Sequence, residues 1–79
     1  MDVNKLIIMA NQIGVFFESM PDRQQAVQDI ASHIKRFWEP RMRRAILDSL
    51  DQNSADGLSD IVREALSTHR QMLALGGTH

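Results

Sequence analysis

The chain contains no cysteine. Disulfides, zinc ribbons and thiolate-held iron–sulfur clusters are therefore excluded as sources of stability or chemistry. Tyrosine is also missing, proline occurs twice and glycine four times, and no glycine-rich loop is present that would cradle a phosphate. The three histidines, His33, His69 and His79, stand in no HxxxH or HxxE spacing, so a histidine-based metal site lacks support. An excess of one charge is lacking too: nine Lys and Arg against ten Asp and Glu give a net charge of −1. That balance argues against a basic nucleic-acid binder as a whole-chain property. The longest apolar runs, Leu6 to Ala10 and Ile13 to Phe17, fall far short of the roughly 20 residues that span a bilayer. No small-residue cleavage pattern follows Asp2 and Lys5, so no signal peptide is expected and cytoplasmic residence is the default.

What is present is a short chain, 79 residues long, read as one domain. A domain of this size buries only roughly 60% of its unfolded surface. Disulfides, a structural metal or a partner usually make up the deficit, and here a partner is the remaining device.

Helical periodicity dominates. Val3, Leu6, Ile7, Ala10, Ile13, Gly14 and Phe17 follow i, i+3, i+4, i+7 spacing and fit an arc of roughly 120°, which predicts a first helix that Pro21 stops. A second should begin near Pro21 or Asp22, carry the stripe Ala26, Val27, Ile30, Ile34 and Phe37, and end at Trp38 or Glu39 before Pro40, because proline pushes its predecessor out of the α region. Pro40 suits the first position of a shorter third helix through Met42, Ile46, Leu47 and Leu50. The segment Asp51 to Gly57 is rich in turn formers. Ser59 is then a plausible N-cap for a fourth helix with the stripe Val62, Ala65, Leu66, His69 and Leu73, which Gly76-Gly77 should end, leaving a frayed tail at 75–79. No strand-like alternation or repeat is found. The expected fold is all-α, a bundle of about four helices, two longer and two shorter.

The first helix is unusual opposite its core stripe. With Ala10 at the centre of the wheel, Met9 and Phe16 fall near 100–120° to one side and Ile8 and Val15 near 140–160°. Met9 and Phe16 either widen the core or belong to an interface, whereas Ile8 and Val15 favour a protein interface. Asn11 and Gln12 should both be exposed, as a solvated face or as a pair of amides that hydrogen-bond a partner.

A second cluster, Lys35 to Arg44, holds five of the nine basic residues around Phe37, Trp38 and Pro40. Basic residues interleaved with aromatics suit single-stranded nucleic acid, but arginine and tryptophan are also typical of protein interfaces, and fold support is a third reading. Catalytic candidates are thin. No serine lies in a GxSxG setting, and local spacing places no carboxylate to orient His33 or His69 as a base.

Three segments together carry a family resemblance: Met9-Ala10-Asn11-Gln12-Ile13 with Phe16-Phe17, then Phe37-Trp38-Glu39-Pro40-Arg41-Met42-Arg43, then Val62-Arg63-Glu64-Ala65-Leu66. In this order and at these separations the chain resembles the delta subunit of bacterial NAD-dependent formate dehydrogenases over roughly residues 3 to 70. The second segment is the most specific part. The resemblance implies a non-catalytic accessory subunit of a cytoplasmic complex that oxidises formate and reduces NAD⁺. In such complexes a large alpha subunit carries a molybdenum or tungsten pterin and iron–sulfur clusters, and other subunits carry flavin and further clusters. No cofactor is expected in this chain, and the alpha subunit is the expected partner. Position 39 is Glu where the family more often has Asp, Leu58-Ser59-Asp60 replaces a usual Asp-Pro opening, and Ile8 occupies a place often polar.

The combined expectation is a partner interface made of Ile8, Met9, Asn11, Gln12, Val15 and Phe16 with Trp38, Pro40, Arg41 and Arg43. Trp38 would be its anchor, Pro40 would fix the corner, and Arg41 and Arg43 would be bidentate donors. The alternatives are a self-associating or a nucleic-acid-binding regulatory helical module.

Overall fold

Aspartates start the first two helices. In the computed structural model, which describes residues 2–74, Asp2 Oδ1 accepts the Asn4 N–H at 2.9 Å and caps α1 (Val3–Glu18). Asp22 Oδ1 accepts the Gln25 N–H at 3.3 Å and caps α2 (Arg23–Phe37). Each satisfies one of the donors that a helix start leaves open. Pro21 therefore lies in the turn rather than in the helix. Pro40 takes the first turn of α3 (Pro40–Asp51), as its fixed φ and missing N–H favour. After a connection in which Asn53 and Gly57 have positive φ, 55° and 95°, come α4 (Asp60–Thr68) and the short α5 (Arg70–Ala74). The fold is an all-α bundle, with no strand among the described residues.

The single fourth helix expected from periodicity is two helices. At His69 the backbone turns to φ −108°, ψ 26°, in a run, Ser67-Thr68-His69, of modest helix formers. The bend carries Leu73 into the core at 1% exposure and packs α5 against α3 and α2. Lys35 Nζ donates to the Met72 carbonyl at 3.2 Å, and Arg70 pairs with Asp51. The expected stop at Gly76-Gly77 and the tail at 75–79 lie outside the described residues.

The helices pack around Ile30 and Ile34 of α2, Ile46 of α3, Ile61 and Leu66 of α4 and Leu73 of α5, all fully buried. α1 covers this core with Leu6, Ile7, Ala10 and Gly14. Gly14 permits a close crossing of α1 and α4: a Cβ there would lie 2.6 Å from Val62 Cγ2. The bundle measures 32 × 30 × 18 Å, and its thin dimension has room for about two layers of helix at 8–10 Å spacing. One layer can bury only one side of α1, so the other side stays open.

Phe37 was expected in the stripe of α2, yet it is 64% exposed, while Trp38 is 5% exposed and part of the core. The reason is local. α2 ends at Phe37, and Trp38 and Glu39 are both extended, with ψ of 140° and 153°, so the helical wheel does not reach the indole. The extended backbone carries Trp38 into the core, while Phe37, the last helical residue of α2, stays exposed against His33 and Arg36.

Candidate partner-binding groove

Along one side of α1, Met9, Gln12, Ile13, Phe16 and Phe17 face His33 and Phe37 of α2, with Trp38 and Met42 closing the far wall. They line an open groove of about 630 Å³, whose walls are apolar except for Gln12 and His33. Its aromatic groups touch in sequence. The Phe16 and Phe17 rings meet edge to face at 5.0 Å and Phe17 and His33 at 6.2 Å, while His33 and Phe37 lie tilted at 42° with centroids 4.7 Å apart. The Arg36 guanidinium stands 5.6 Å from the centre of the Phe37 ring, within cation–π range. Phe16 is 75% exposed, so most of its ring meets water even though one edge contact is made with Phe17.

The two sequence clusters thus meet, because the corner between α2 and α3 folds against α1. Met9, Gln12, Phe16 and Trp38 line the groove together. Ile8 and Val15, 58% and 70% exposed, form an apolar strip on the adjoining outer face of α1. Arg41 is exposed beside Met42, and Pro40 is half-buried.

Asn11 and Arg43 are placed otherwise. Asn11 is half-buried rather than exposed: its Nδ2 donates to the Gly57 carbonyl at 2.8 Å, and its Oδ1 accepts the Ser59 N–H at 2.9 Å. It is the peg that ties the α3–α4 connection to α1, because the loop's positive-φ Gly57 turns those backbone groups toward the helix. Arg43 is 3% exposed, on the inward face of α3 with Ile46 and Leu47, and its Nε and Nη1 are buried without a hydrogen-bond partner. Ser59 occupies the N-cap position of α4, but its hydroxyl makes no cap hydrogen bond and is itself buried and unpartnered.

Ile13, Phe17 and His33 are groove residues that the sequence does not assign to an interface, whereas Phe37 and Met42 lie in the Lys35–Arg44 cluster already read as one of its candidate sites. A usable signal existed for His33. His33 and Phe37 are spaced i, i+4 on the rim of the α2 stripe, a pair that faces the same way as Phe17 once α1 and α2 pack.

Among the described residues no group of three or more His, Asp or Glu side chains is arranged to hold a metal ion, and no helix is long and apolar enough to cross a membrane. Fold and site together define a small helical bundle that carries an open apolar groove at the junction of three helices. The chain belongs to the NADH-dependent formate dehydrogenase delta subunit family, FdsD, whose family model matches residues 5–66. That match spans every groove residue. No curated protein and no solved structure matches the chain.

Proposed function

We propose that this chain is a non-catalytic accessory subunit, holding no cofactor of its own, that stabilises or helps assemble a cytoplasmic NAD-dependent formate dehydrogenase by binding its large subunit. Family membership supports association with the dehydrogenase. The observation that carries the binding role is the aromatic groove, with Phe16 and Phe37 exposed at its edges. Monomeric proteins seldom leave such contiguous apolar surface open unless it is an interaction site. A tagged chain expressed in its native host should co-purify with a molybdopterin-containing or tungstopterin-containing large subunit. Deleting it should lower the yield of assembled dehydrogenase. Absence of the large subunit from the purified material, with assembly unchanged by the deletion, would overturn the reading.

A second reading rests on Ile8 and Val15, which stand outside the groove. Self-association through that strip would bury them in a dimer of the free chain. Sedimentation of the purified chain over a range of concentrations distinguishes a dimer from a monomer that waits for the large subunit.

A further inference from the structure

We infer that the groove takes one amphipathic helix of the large subunit, about three turns long, with large apolar residues on its inner face and acidic residues along its flanks. The inference rests on the binding role proposed above and adds the chemistry of the bound segment.

The polarity of the groove points to a helix. An extended segment seated on its floor would turn backbone N–H and C=O groups toward Met, Phe and Ile side chains, with only Gln12 and His33 to meet them. Buried peptide groups left without hydrogen bonds are costly. A helix arrives with those bonds already made and offers side chains alone, the mode by which amphipathic helices enter apolar grooves. The length follows from α1: Lys5, Met9, Gln12 and Phe16 recur at helical spacing on one side, a line that rises about 16 Å at 1.5 Å per residue.

The flanks are basic. Lys5 lies at one end of that line, Arg36 stands over Phe37, and Arg41 precedes Met42 on α3. All three are exposed, and none forms an ion pair among the described residues. Asp29 shares a small depression with Arg36 and Phe37 and keeps its negative charge although Gln25 donates to it at 2.9 Å; with Glu39, the only acid in the corner itself, it is outnumbered by the five basic residues from Lys35 to Arg44. Two copies of this chain docked groove to groove would bring like charges together, which costs affinity and selects against a homodimer at this face. A partner with acids beside its apolar stripe has the complementary pattern.

The test uses the full chain bound to the large subunit of the dehydrogenase. A photo-crosslinking phenylalanine derivative is placed at exposed Gln12 in one variant and at exposed Val15 in another. The double variant Arg36→Glu, Arg41→Glu is compared by affinity, with far-UV circular dichroism as the check on folding. The expected result is a crosslink from position 12 to one acidic-flanked segment of the large subunit. A peptide of that segment should gain helical signal on binding, and the double variant should lose roughly tenfold or more in affinity at low salt. A crosslink from position 15 alone, with affinity unaffected by the charge reversal, would remove the groove inference and leave the subunit assignment standing. A crosslink from position 12 to a basic or extended segment, or to a second copy, would overturn the inference. No binding of the large subunit by any variant or by the unaltered chain would overturn both.

Discussion

Gly14 occupies a helix interior, where alanine is ordinarily better by about 1 kcal/mol. Here the preference should reverse, because the added Cβ meets Val62 Cγ2 at 2.6 Å and lies 3.4 Å from Ile61 Cγ2 and Ser59 Oγ, and Val62 is fully buried. Gly14→Ala should cost about 1–3 kcal/mol from overpacking, seen as a lower urea midpoint; a stabilised variant would mean that α4 gives way. Arg43 is the opposite case. A buried guanidinium with two unpartnered nitrogens is expensive to desolvate, and replacing buried ionic groups with apolar ones of similar volume is often neutral or stabilising. Arg43→Met should therefore leave the free chain unchanged or stabilise it by up to about 2 kcal/mol. A clear loss of stability in the same urea titration would show that the guanidinium supports the fold. Asn11, taken from the sequence as an exposed amide, is instead a structural peg, since both ends of its side chain are occupied by the connection that precedes α4.

At the scale of the element, helix ends decide more than helix middles. The N-cap of α2 is the side chain of Asp22, and such caps contribute about 1 kcal/mol. Asp22→Ala should lower stability by about that amount, and amide hydrogen exchange in the first turn of α2 should quicken before the rest of the helix. Uniform exchange along α2 would mean that the cap does not hold that turn. Ser59 has the right residue type and position for the same task, yet its hydroxyl makes no cap bond. The break at His69 shows the same dependence on ends. A straight continuation of α4 would carry Leu73 along the α4 axis, whereas the bend lets α5 close against α3 and α2.

For the molecule as a whole, burial separates what folds the chain from what remains open to a partner. Trp38 serves as both core and groove wall, so Trp38→Ala should cost about 3–5 kcal/mol, a large share of the roughly 4–12 kcal/mol expected for a domain of this size. Folding should then fail before complex formation does, the opposite of what an anchor confined to the interface would show. Phe16→Ser should change stability by less than about 0.5 kcal/mol, as surface substitutions do, while weakening capture of the large subunit. Thermal melts set beside co-purification yields check the pair. Equal destabilisation by both variants would return Phe16 to the core.

The sequence by itself determined the helical class, the helix boundaries near Pro21 and Pro40, most of the buried stripe, and the family, because these depend on periodicity and local backbone chemistry acting within a few residues. It also identified Ile8, Met9, Val15 and Phe16 as apolar side chains outside the core arc, since a helical wheel needs only spacing. Tertiary structure decided which side of a corner each aromatic takes: the extended backbone at Trp38 places the indole in the core, and Phe37 stays exposed at the end of α2. It decided that Asn11 faces a loop and that Arg43 faces inward, because both depend on segments distant in sequence or on the packing of α3. It also joined two sequence clusters, separated by most of α2, into one groove, because a small two-layer bundle has too few helices to cover both sides of α1.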